Sequence, residues 1–148
     1  MTTLIHQRVE QARQGQNPTT LCQMESGWAV FGDHQVLNGY CLLLPDPVVA
    51  SVNDLSVRER EIFLRDMTLI GDALLEVTGA WRINYEILGN SEPALHAHIV
   101  PRYEAEPDQY RKGPVWFYPW DDVPKFDPVR HKPLMDRIKA AIEKRISA

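Results

Sequence analysis

The chain has 148 residues, of which 44% are hydrophobic and 24% charged, so one soluble domain can bury a core without disulfides. Its net charge of −4 argues against binding to a nucleic-acid polymer, because such binders are normally basic, but is compatible with a small nucleotide. The sequence lacks a targeting signal and any run of about 18 apolar residues, which predicts a cytoplasmic protein with no membrane partner. Cys22 and Cys41 form no metal or disulfide motif and are expected to be small buried side chains.

The first part of the chain alternates short elements with turns. Apolar residues at helical spacing predict a helix over residues 3–14, which Gly15 ends. Short strands are predicted over residues 21–24 and 28–31, separated by a hairpin turn, and a more apolar strand over residues 40–44.

A long amphipathic helix is the strongest local prediction. Ser56 and Glu59 form a capping box, and Gly79 is a typical helix stop, so the helix should run to about residue 78. Its buried stripe is predicted from the helical spacing of six apolar residues, namely Ile62, Phe63, Met67, Ile70, Leu74 and Val77.

Two further strands follow, over residues 81–88 and 95–102, with a turn over residues 89–93 between them. The pattern indicates an α+β fold, with a mostly antiparallel sheet, a long helix across one face, and helices near both ends of the chain.

Residues 104–128 differ in composition from the rest of the chain, because they include five prolines and six aromatic residues and show little hydrophobic periodicity. Such a segment must be fixed by its aromatic side chains to be ordered. A last helix is predicted over residues 129–146, with Leu134, Ile138, Ala141 and Ile142 on one side. We expect a single domain over residues 1–148, with a core over about 20–103 and an extension over about 104–148.

The run His96-Ala97-His98 carries the clearest chemistry. On a strand, both imidazoles would project from one face while Leu95, Ala97 and Ile99 point into the core. Two imidazoles side by side at neutral pH suit a nucleophile, a proton shuttle or a metal site.

This stretch resembles the histidine triad family, whose signature is three histidines alternating with apolar residues on one strand. The ending Ile99-Val100-Pro101-Arg102 is similar to that of the diadenosine polyphosphate hydrolase and fragile histidine triad branch. Gly89-Asn90-Ser91 resembles the turn that precedes the triad, and the strand from Gly39 to Pro45 resembles the family strand that normally opens with a histidine.

The resemblance implies a role for each of these residues. His96 would attack the α-phosphorus of a nucleotide to give a nucleotidyl-histidine, with its other ring nitrogen donating to a backbone carbonyl. His98 would donate to a phosphoryl or leaving-group oxygen. Gly89, Asn90 and Ser91 would bind the phosphate; from residue types alone, these three are equally typical of an ordinary turn.

The resemblance also places the nucleoside among residues of the early strands, which equally suit an ordinary core: Trp28, Val30, Phe31 and Leu42 for the base, and Asp33 for a ribose hydroxyl. An ungapped match puts Gly32 at the ribose position, which leaves Asp33 displaced by one. His34 is expected on an exposed turn.

The chain departs from the family at two positions. Ala94 replaces the first triad histidine, and Tyr40 replaces the histidine that opens the preceding strand. A tyrosine hydroxyl could act as a donor near the site instead. Arg102 suits either a phosphate or a surface carboxylate.

The resemblance favours a nucleotide phosphohydrolase acting on dinucleoside polyphosphates, with no tightly bound cofactor and with Mg²⁺ arriving on the substrate. The alternatives are a non-catalytic nucleotide-binding module, a nucleoside phosphoramidase or nucleotidyl transferase, and a metal protein using His96, His98 and either His131 or His34.

The resemblance also implies a homodimer. Alternation puts Trp81, Ile83, Tyr85 and Ile87 on one strand face, and the long helix has an apolar surface widened by Phe63, Leu64, Leu69 and Leu75. A two-fold contact would bury this excess. Alternatively, the aromatic residues 116–120 fold back over that surface, or reach into the partner's site.

Overall fold

A computed structural model describes residues 2–147. The helices are α1 (Leu4–Arg13), α2 (Val57–Thr78), α3 (Asp108–Arg111) and α4 (Lys132–Ile146), and the strands are β1 (Thr20–Gln23), β2 (Gly27–Phe31), β3 (Cys41–Pro45), β4 (Arg82–Glu86) and β5 (Ala97–Arg102). Short 3₁₀ turns cover Val52–Asp54, Val115–Phe117 and Trp120–Asp122.

The strands form one antiparallel sheet in the order β1-β2-β3-β5-β4, so β5 lies in the interior and β4 at an edge. The α+β prediction is confirmed, and the sheet is antiparallel throughout. Because side chains alternate along each strand, the sheet has two distinct faces.

The helix-side face is covered by α2 and α4. Their apolar side chains form the main core with Ala29 and Phe31 of β2, Leu43 of β3, and Ala97 and Ile99 of β5. The histidine-side face carries a smaller cluster in which Ile5 and Val9 of α1 pack on strand residues.

The ends of α2 follow from the sequence. Ser56 accepts a hydrogen bond from the Glu59 backbone, and the Glu59 side chain accepts one from the Ser56 backbone. Gly79 closes the helix with φ of 74°, a left-handed conformation that glycine adopts without strain. Four of the six predicted stripe residues are buried, while Ile62 and Val77 are half-buried.

The helix predicted over residues 129–146 begins only at Lys132. The Asp127 carboxylate accepts hydrogen bonds from the backbone N–H groups of Val129 and Arg130, both at 2.9 Å, and this turn delays the helix. The predicted strands over residues 81–88 and 95–102 are also shorter than expected, because β4 pairs only as far as Glu86, and β5 begins at Ala97, which pairs with Leu43 of β3.

The segment between β5 and α4 is fixed by a buried ion pair as well as by aromatic packing. Arg102 and Glu106 have side chains that are 3% and 2% exposed, and Arg102 also donates to the carbonyls of Tyr110 and Gly113. Burial raises the pKa of Glu106, but hydrogen bonds from Arg102 and Tyr118 outweigh it and leave the pKa below its ordinary value. None of the helices within residues 2–147 combines the length and apolarity needed to cross a membrane.

Candidate active site

Two imidazoles lie side by side on the histidine-side face, as the alternation of residues 95–99 predicts. The ring centroids of His96 and His98 are 4.8 Å apart, and the residues are 8% and 9% exposed. His98 lies within β5, opposite Leu42 on β3 and Glu86 on β4, whereas His96 immediately precedes the strand. Leu95, Ala97 and Ile99 enter the main core, as predicted.

His96 has a fixed tautomer. Its Nδ1 lies 2.7 Å from the carbonyl oxygen of Ala94, and a carbonyl can only accept, so Nδ1 carries the proton. The neutral ring therefore has its lone pair on Nε2. This contact is the backbone interaction expected for a nucleophile, and it uses the carbonyl of the residue that replaces the first triad histidine.

His98 contacts the second replaced position. The Tyr40 hydroxyl lies 2.6 Å from His98 Nδ1, with Tyr40 only 5% exposed. Burial lowers the pKa of His98 to about 4, with a smaller contribution from repulsion by His96, so His98 is neutral at pH 7. Burial raises the pKa of Tyr40, which stays a protonated phenol.

The structure brings both histidines to the predicted phosphate turn. One cavity of about 360 Å³, here called the turn cavity, is lined by eight residues: Leu88, Gly89, Asn90, Ser91, Glu92, His96, His98 and Trp116. Gly89 adopts φ of 75°, which lets the chain turn back toward β5. All five residues predicted for catalysis and phosphate binding therefore border one space.

A second cavity of about 170 Å³, here called the strand cavity, lies on the same face above β2 and β3. Val30, Asp33, Leu42 and Tyr40 border it, and Val30 lies in the same cross-strand row as Leu42 and His98. The Asp33 carboxylate pairs with Arg8 at 2.6 Å and remains 40% exposed. The exposed His34 also borders this cavity.

Two of the residues predicted to contact a nucleoside base are placed differently. Phe31 borders the strand cavity, but its ring is 1% exposed and packs against Phe126 and His131 on the helix-side face. Trp28 lies one row beyond Val30 and donates from Nε1 to Asp46 at 3.0 Å, outside the residues that line the cavity. The sequence does not reveal either outcome, because both depend on partners distant along the chain.

Residues 114–120, here called the aromatic segment, cover the histidine-side face of their own chain. The Trp116 ring meets His98 edge-on at 4.8 Å, and its Nε1 donates to Glu86. Trp120 stacks on Trp116 at 5.3 Å and contacts the Tyr40 ring at 6.2 Å. Both placements expected for these tryptophans, over the β4 and α2 surface or in a partner's site, are therefore wrong for this chain. The crowding of aromatic residues was the one available sequence signal.

Neither role expected for Arg102 is correct. Its guanidinium is buried and bound to Glu106, to Asn84 at 2.7 Å and to backbone carbonyls, so no free donor remains for a phosphate. The carboxylate that it pairs with is buried, not on the surface. Alternation along β5 places Arg102 on the histidine-side face, where residues 106–113 enclose its guanidinium group.

The proposed metal set does not assemble. His131 is buried on the helix-side face, where its Nδ1 accepts from the Asp127 backbone at 2.9 Å, so the sheet separates it from His96 and His98. His34 contacts Trp120 at the strand cavity. Across residues 2–147, no three His, Cys, Asp or Glu side chains are grouped to hold a metal ion.

No protein-family model matches the sequence, and no curated protein matches it significantly. Several solved structures, however, match this chain in fold. A histidine triad protein from Sinorhizobium meliloti is 22% identical, with a TM-score of 0.71 over 82% of this chain and 87% of that chain. A histidine triad protein from Marinobacter aquaeolei is 18% identical, with a TM-score of 0.73 over 84% and 88%.

A hypothetical histidine triad nucleotide-binding protein from Sulfolobus tokodaii is 17% identical, with a TM-score of 0.72 over 93% of this chain and 92% of that chain. These likenesses cover 82% to 93% of this chain. The chain therefore has the fold of the histidine triad proteins.

Proposed function

We propose that the protein is a nucleotide phosphohydrolase that cleaves dinucleoside polyphosphates or related nucleotides through a nucleotidyl-histidine intermediate. The observation that carries this proposal is the fixed tautomer of His96. The Ala94 carbonyl holds its Nδ1 proton, which leaves a neutral nitrogen with a lone pair in a ring that lines the turn cavity.

The reaction follows in two displacements. The Nε2 lone pair of His96 forms a bond to the α-phosphorus while the bond from phosphorus to the leaving-group oxygen breaks and its electron pair leaves with that oxygen. Water then forms a new P–O bond, the P–N bond breaks, and a proton of that water goes to solvent. The products are a nucleoside monophosphate and the regenerated neutral imidazole.

Phosphate binding is assigned to Asn90, Ser91 and the backbone at Gly89, which supply neutral hydrogen-bond donors around the charge that develops on the phosphoryl oxygens. The eight residues that line the turn cavity include no Lys or Arg, and Glu92 is negative. A polyphosphate therefore needs its own counterion. We expect Mg²⁺ to arrive with the substrate and no cofactor to be bound tightly.

The strand cavity is the proposed nucleoside site. Val30 and Leu42 offer an apolar floor in the cross-strand row that contains His98, and the exposed part of the Asp33 carboxylate can accept from a ribose hydroxyl. A nucleotide ligand is consistent with the fold, which this chain shares with the hypothetical histidine triad nucleotide-binding protein from Sulfolobus tokodaii.

The test is release of nucleoside monophosphate from a panel of dinucleoside polyphosphates and nucleoside phosphoramidates. His96→Ala should abolish release, whereas His6→Ala, which removes an imidazole from α1 outside both cavities, should retain it. Ser91→Ala should lower the rate about 10- to 1,000-fold by removing a donor to the developing charge. Binding of the same nucleotides without turnover would identify a non-catalytic module instead, and full activity of His96→Ala would refute the mechanism.

A further inference from the structure

We propose that Tyr40 holds His98 in the tautomer with its proton on Nε2, so that His98 donates a hydrogen bond to the substrate but does not give up the proton. The consequence for substrates, which rests on the proposed function, is a requirement for leaving groups that depart as stable anions. Tyr40 is then a positioning residue that selects the substrate class.

The direction of the hydrogen bond between Tyr40 and His98 follows from burial. Within residues 2–147, the Tyr40 hydroxyl has no hydrogen-bond partner other than His98 Nδ1, at 2.6 Å. If Nδ1 carried the proton, the hydroxyl would accept it and its own buried proton would be left without an acceptor, which is costly. Donation from Tyr40 to Nδ1 avoids this cost and puts the imidazole proton on Nε2.

The two histidines therefore carry opposite tautomers. The Ala94 carbonyl fixes the His96 proton on Nδ1, and Tyr40 fixes the His98 proton on Nε2. Rings only 4.8 Å apart thus combine one nitrogen lone pair with one N–H donor at the turn cavity. The lone pair suits attack on phosphorus, and the donor suits a phosphoryl oxygen.

Loss of the Nε2 proton from His98 is unfavourable in these surroundings. It would leave an imidazolate unless Tyr40 passed its own proton to Nδ1 and became a buried phenolate. Burial is the main cause that raises the pKa of Tyr40, and the nearby Asp33 and Glu86 carboxylates raise it further, so a phenolate at this position is disfavoured.

Substrates therefore differ in whether their leaving group must receive a proton. A phosphoanhydride releases a phosphate, which is stable as an anion and departs without a proton. An amine or a weakly acidic alcohol must receive a proton as its bond to phosphorus breaks. Because His98 does not supply one, this site should favour the anhydride over the phosphoramidate.

The tautomers can be read without any turnover, by ¹⁵N NMR of the histidine-labelled full-length protein at pH 7. We expect His98 with a proton on Nε2 and an unprotonated Nδ1, and His96 with the reverse arrangement. Tyr40→Phe keeps the ring and removes the hydroxyl, so His98 should become a mixture of tautomers while His96 is unchanged. A wild-type His98 with its proton on Nδ1, or a His98 signal unaffected by Tyr40→Phe, would overturn the proposal.

The substrate consequence is measured with adenosine 5′-monophosphate esters of phenols of graded acidity. The rate should fall about 100- to 10,000-fold from the most to the least acidic phenol, the range that a general acid would otherwise supply. Equal rates across the series would overturn the leaving-group requirement. If the protein cleaves no substrate at all, the proposed function fails, and the NMR result still decides the role of Tyr40.

Discussion

The ring of Tyr40 lies directly over Gly32, its neighbour across the end of the β2–β3 pair. A Cβ atom at residue 32 would come within 2.4 Å of the Tyr40 ring, and the Gly32 N–H donates to the Tyr40 carbonyl at 2.9 Å. Glycine at 32 thus makes room for the ring whose hydroxyl reaches His98. The family resemblance expects a ribose-binding side chain at residue 32. In this chain the Tyr40 ring occupies the space that such a side chain would need.

Gly32→Ala should therefore displace Tyr40 and release His98. We expect overpacking to lower the free energy of unfolding by about 1–3 kcal/mol, and the His98 tautomer to become mixed, as in Tyr40→Phe. Thermal unfolding and ¹⁵N NMR measure the two effects. Gly32→Ala combined with Tyr40→Leu serves as a control that should recover stability without restoring the tautomer. Unchanged stability and unchanged His98 signals in Gly32→Ala would show that the ring does not depend on this glycine.

Stability should depend on pH through His98. Its pKa is about 4 in the folded protein and about 6.5 when unfolded, so its contribution is complete above pH 6.5 and is lost progressively as the pH falls to 4. The loss amounts to about 3 kcal/mol for a shift of this size.

Urea unfolding at pH 7.5, 6, 5 and 4 measures this dependence. His98→Gln removes the titrating group and should flatten the curve between pH 7.5 and 5, where the carboxylates that pair in the folded state remain ionised. Parallel curves for the wild type and His98→Gln over this interval would contradict a depressed His98 pKa.

The Arg102–Glu106 pair should be structural. Glu106→Gln leaves the Arg102 charge buried without its carboxylate, which typically costs about 3–5 kcal/mol. Chemical unfolding followed by tryptophan fluorescence tests this, because Trp116 and Trp120 lie in the segment that the pair holds. The double variant Arg102→Met with Glu106→Leu should recover part of the loss. A loss in Glu106→Gln no larger than that of Glu61→Gln, an exposed partner of Arg58, would contradict the assignment.

A homodimer remains our expectation for the exposed apolar surface. Trp81, which precedes β4, and Tyr85 of β4 are 48% and 37% exposed, and Leu64 and Leu75 of α2 are 40% and 42% exposed. Phe63, by contrast, is fully buried in the main core and does not widen this surface, and Ile83 and Ile87 also pack against that core. The aromatic segment lies on the opposite sheet face, so it leaves these four residues uncovered.

Light scattering at micromolar concentration should give the mass of two chains. Leu64→Glu with Tyr85→Glu should reduce it to one, because two charges would be buried in the contact. A single-chain mass for the wild type would exclude the dimer.

Local signals in the sequence predict most of the fold. Ser56, Glu59 and Gly79 fix the ends of α2 through contacts within a few residues, and the alternation around His96 and His98 places both rings on one face. The contacts that tune the site join residues far apart in the chain. Tyr40 reaches His98, and Trp116 reaches Glu86, through tertiary packing that has no local signature.

The covalent intermediate is the most direct test of the mechanism. A reaction with a dinucleoside polyphosphate, quenched within one turnover and digested, should yield the peptide containing His96 with a nucleoside monophosphoryl group attached. Fragmentation should place the group on His96 and not on His98. The Nε2 atom of His96 has a free lone pair, whereas the Nε2 atom of His98 carries a proton. An adduct on His98, or continuing turnover with no adduct on His96, would contradict the account.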